Sequence, residues 1–133
     1  MTRSIIWRWE PRADKAGTRF IATGACDAAD AYKQAFLRAT ADDLVIIESP
    51  ASMPARAIRN AFVERMIVGS EKINFCCDCL RDCSPAKAKC CISQALINAV
   101  KGDLDNGLIF CRAMFDQIRE IPIARAVPEA LQV

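Results

Sequence analysis

Apolar positions recur along the chain in stretches whose period changes, and each change predicts an element. Residues 17–23, GTRFIAT, read as a short strand entered through Gly17. The next stretch, CDAADAYKQAFLRAT (26–40), changes to a helical period. Tyr32, Ala35, Phe36 and Ala39 fall on one face, with Asp27 as candidate N-cap and Asp30 three residues on. DDLVIIES (42–49) is a continuous run of largely β-branched residues and predicts a buried strand. A second helix is predicted within 49–69, where Ser52 can cap and Pro54 stands near the first helical position. Its apolar side is Ile58, Ala61, Phe62 and Met66, and Gly69 ends it. Ile92, Ala95, Leu96 and Ala99 predict a third helix closed by Gly102, before a DLDNG turn at 103–107. Beyond residue 108 the pattern predicts one or two short helices broken at Pro122 and Pro128.

The order is strand, helix, strand, then helices: a mostly α chain with one or two short strands. Two strands cannot satisfy both edges of a sheet, so this order points to part of a larger architecture. Three regions are expected: an irregular segment at 1–16, a strand–helix unit with its following strand at 17–50, and a helical, cysteine-rich region at 51–133.

Composition narrows the function. The chain has 133 residues and 53% apolar positions, enough for one domain with a core. A net charge of +2 leaves no electrostatic footprint for nucleic acid. Apolar runs as short as LVII (44–47) cannot span a bilayer, and MTRSIIWRWEPRADK (1–15) has no signal-peptide core. A soluble cytoplasmic protein is expected. There is no histidine, which excludes a Ser–His or Cys–His pair and any imidazole base from this chain. No catalytic residue is assigned.

Six of the eight cysteines lie in CCDCLRDCSPAKAKCC, residues 76–91. In a reducing compartment such thiols suggest metal or redox chemistry before disulfides. Cys76, Cys79 and Cys83 at x₂ and x₃ spacing, followed by Cys90 or Cys91, can converge on a tetrahedral Zn²⁺ or an Fe–S cluster, and spacing does not separate the two. Cys76, Cys79, Cys83 and Cys91 are the selected set. Buried cysteines also behave as small hydrophobes, the role expected of Cys26 and Cys111. Tyr32 is expected in the core, and Lys87, Lys89 and Lys101 on a solvated face.

Several motifs then coincide in order: GTRFIAT, LVIIESPASMPARAIRN, CDCLRDC and CCISQALINAVKGDLDNGLIFC. Together they resemble the C-terminal third of the nitronate monooxygenase family, formerly the 2-nitropropane dioxygenases, between about Gly17 and Cys111. The resemblance implies an α/β fold, the C-terminal part of a TIM barrel. It also implies an FMN-dependent oxidoreductase that oxidises alkyl nitronates with O₂, and a small-molecule substrate once the barrel is complete. Gly17 and Thr18 match the family's GTRF turn, whose amides help cradle the FMN phosphate. Arg56, Arg59 and Asn60 match a family motif and could face the barrel mouth or cap a helix; the structural role is preferred. The family's catalytic histidine and N-terminal glycine-rich segment have no counterpart, and Arg112 stands where the family commonly has glycine. These departures suggest a partial copy, completed by self-association or by a partner carrying the rest of the barrel. The alternative is a non-enzymatic, metal-stapled helical module that binds another protein.

Overall fold

The structure is a computed structural model that describes residues 16–49, 53–76, 78–112 and 118–121, with only the backbone of Ala16. The elements are α1 (Ala16–Ile21), α2 (Asp30–Arg38), a single 3₁₀ turn (Ala41–Asp43), β1 (Leu44–Glu48), β2 (Pro54–Ile58), α3 (Ala61–Val68) and α4 (Ile92–Val100). The described residues are thus mostly helical, with one two-stranded sheet. The expected irregular segment (apart from Ala16), Ser52, and the breaks at Pro122 and Pro128 lie outside them.

β1 and β2 pair antiparallel, with Leu44 opposite Ile58 and Glu48 opposite Pro54. The far side of β2 meets residues 109–111: Ile58 N–H donates to Ile109 O at 2.9 Å, and Cys111 N–H to Arg56 O at 3.0 Å. β2 is therefore the central element of a small ladder. Successive strand side chains point to opposite faces, so β2 serves two apolar layers at once. Ile58 packs with Tyr32, Phe36, Ala99 and Ile109 below α2. Ala57 packs with Phe62, Val63, Met66 and Leu108 below α3. Tyr32 and Phe36 meet edge to face, with ring centres 5.3 Å apart.

Two glycines are fixed by geometry. Gly102 turns the chain after α4 at φ +97°, a conformation that favours glycine. Gly107 passes so close to α4 that an added Cβ would stand 2.6 Å from the Ala99 backbone.

Four expectations need correction. Residues 17–21 are helical, not extended: Thr18 and Ala22 are buried four residues apart while Phe20 between them is 41% exposed, a helical spacing. The segment 54–58 is a strand, not the start of a helix, because β1 and residues 109–111 compete for its backbone; α3 begins only at Ala61. α2 starts at Asp30 with Ala29 as N-cap and no side-chain cap, so Asp27 does not cap it. Ala29 is instead anchored by its N–H to Val100 O at 2.9 Å. β1 is not buried on both faces: Ile47 is 4% exposed and Ile46 is 70% exposed, as an antiparallel edge strand allows.

Candidate functional site

Gly17 and Thr18 lie in the first turn of α1, where amides have no partner within the helix. Among the described residues, the Gly17 position is exposed and open, for a Cβ there would meet nothing within 4 Å. Thr18 is buried at 8% and accepts Ala22 N–H at 3.2 Å through its carbonyl. The helix ends where Thr23 Oγ1 donates to Phe20 O at 2.7 Å. Its first turn therefore offers backbone donors beside a position that no atom of the described residues crowds.

Asn60 is the structural hinge of the arginine-containing motif. Its Oδ1 accepts Val63 N–H at 2.9 Å and caps α3. Its Nδ2 donates to Leu104 O at 2.9 Å and Gly107 O at 2.8 Å, fixing the turn after α4. Arg59 pairs with Glu64 on the surface at 3.0 Å. Arg56 is exposed on β2. Sequence reasoning did not single out Arg65, which pairs with Glu71, donates to Asp105 O at 2.9 Å and stands 5.9 Å from the Phe62 ring centre. Its only local signal is its place on the polar face of α3.

The cysteine segment carries no helix or strand among its described residues. All seven described cysteines are thiols, not disulfides. Cys90 and Cys91 part company: Cys90 is 1% exposed and its Sγ lies 3.6 Å from Met66 Sδ in the core. Burial pushes the Cys90 thiol up to about 11. Cys91 instead joins Cys76, Cys79 and Cys83 around a cavity of about 10 Å³, walled by Leu80 and Ile92. The Cys83 thiol is raised by lost hydration first, then by the facing sulfurs of Cys76, Cys79 and Cys91. Among the described residues, no three ligand-type side chains are already drawn into a metal-holding geometry. Cys77 lies outside the described residues.

Of the two cysteines expected in the core, Cys111 is buried at 8% and its thiol is likewise raised to about 11 by burial, whereas Cys26 is only half-buried. A larger groove of about 320 Å³ runs between α3, residues 71–75 and α4, with Phe62, Lys72, Phe75, Gln94 and Asn98 on its walls. No helix among the described residues is long and apolar enough to cross a membrane.

Comparison with solved structures places the fold. FabK from Thermotoga maritima superposes with a TM-score of 0.64 at 24% identity, over 86% of this chain and 34% of that one. A point mutant of the same FabK gives a TM-score of 0.58 at 23% identity, over 86% and 30%. The chain thus spans about a third of the length of these structures. No curated protein matches it. The family model for nitronate monooxygenase, by contrast, matches residues 12–132, nearly the whole chain. With this match joined to a fold that forms part of a TIM barrel, the chain belongs to the nitronate monooxygenase family.

Proposed function

We propose that this chain forms the C-terminal part of an FMN-dependent oxidoreductase acting on alkyl nitronates. The unbroken family match over residues 12–132 carries this reading. The residues present support the cofactor's phosphate end: Gly17 is exposed, with open space beside it among the described residues, and the first-turn amides of α1 can donate to an anion. Gly17 and Thr18 would hold the phosphate by main-chain donors. When bound, FMN supplies the redox chemistry. These residues contribute no imidazole, so proton abstraction from substrate is assigned to a group on the rest of the barrel. Ile46, Met53 and Val68, 70%, 66% and 88% exposed, are apolar side chains available for burial against the rest of the barrel.

The test compares FMN with riboflavin, which lacks the phosphate, by flavin fluorescence titration and by retention of colour through desalting. FMN should bind more tightly by at least about tenfold, and Gly17→Glu should abolish that preference while leaving the helical circular dichroism intact. Equal binding of the two flavins, or an unchanged preference in Gly17→Glu, overturns the phosphate role.

A further inference from the structure

We propose that Cys76, Cys79, Cys83 and Cys91 form a site for one tetrahedral thiophilic metal ion, Zn²⁺ by chemistry. The four side chains, from a loop and from the N-cap of α4, line one cavity. Asp78, at φ 50°, turns the chain between the first two. The adjacent cysteine pair shows that this convergence is selective. Cys90 fills the core against Met66, and Cys91, one residue later, faces the cavity.

The cavity between them, about 10 Å³, is room for roughly one water-sized sphere and so for a single ion. Zn²⁺ takes four sulfurs at about 2.3 Å, so side-chain rotation within the loop must draw the thiols inward as it binds. The loop can do this: Glu71 N–H to Lys89 O and the turn bonds to Ser84 O leave most of it outside any ladder. Cys79 is exposed and gives the ion a way in. Each ligating thiol releases its proton to solvent as its Zn–S bond forms, with no change of oxidation state. Between residues 70 and 91, Cys90 is the sole fully buried residue among those described. Such a segment has little hydrophobic reason to hold one shape, and a bound ion supplies that reason.

The experiment measures zinc in the full chain after gel filtration, together with reagent-accessible thiols. About one zinc per chain is expected, with four of the eight thiols protected. Cys83→Ser should weaken zinc binding by at least about tenfold, and Cys26→Ser should leave it unchanged. Should Cys83→Ser fail to fold, Co²⁺ titration of the unaltered chain reads the coordination directly, through the intense visible bands of tetrahedral cobalt thiolate. Substoichiometric zinc, a pale octahedral cobalt spectrum, retention by Cys83→Ser, or a brown iron chromophore after anaerobic preparation each overturns the single-ion site. None of these readings depends on flavin binding.

Discussion

The ladder around β2 and the cysteine loop are held by different physics. Around β2, backbone hydrogen bonds on both sides coincide with two apolar layers, and Asn60 ties a helix cap to a turn more than forty residues away. Among its described residues, the loop at 70–91 has neither a ladder nor a layer of its own, and it carries most of the chain's thiols. The first region specifies its shape from within; the second gathers reactive groups with no ladder or core of its own to order them. A small domain can thus separate the part that sets geometry from the part that receives chemistry.

The largest effect should come from breaking the first region at its junction. Asn60→Ala removes the α3 cap and leaves Leu104 O and Gly107 O without their side-chain donor. It should cost about 2–3 kcal/mol in urea unfolding. Asn60→Asp, which keeps an acceptor for the cap but cannot donate to the carbonyls, should recover only part of this.

A smaller effect separates the two regions by pH. Folding raises the Cys90 and Cys111 thiols from 9.0 to about 11 by burial, so their contribution to stability is fully present below pH 9. It is lost as pH rises from 9 to 11, because the unfolded chain releases those protons first. Denaturation midpoints should fall across that window, and Cys90→Ala should flatten the fall. At pH 8, alkylation followed by mass spectrometry should mark exposed Cys79 well before Cys90. The smallest effect is expected in the loop: Lys87→Ala, an exposed change, should move metal-free stability by less than about 0.5 kcal/mol.

What the sequence made legible was local. α2 and α4 follow from their apolar stripes, and Gly69 and Gly102 from helix-ending chemistry, because each signal lies within a few residues. PARAI was misread because Pro54 suits a helix start, whereas its extended form is decided by Ile109 and Cys111, which lie far beyond any local window. GTRFI was misread because its aromatic and β-branched residues favour a strand, while burial follows the helical pair Thr18 and Ala22. For the site, the cysteine spacing was visible, but which of Cys90 and Cys91 enters the core depends on Met66, and only the fold brings that residue near.

The central position of β2 also bears on how the chain is made. The β1–β2 hairpin can pair as soon as it leaves the ribosome, yet the other side of β2 waits for residues 109–111. At about 5–20 residues per second, that delay is on the order of a few seconds. During translation the exposed side of β2 is an unpaired edge open to any extended peptide nearby, so a nascent chain stalled before residue 108 should be held by chaperones more strongly than one released after residue 112.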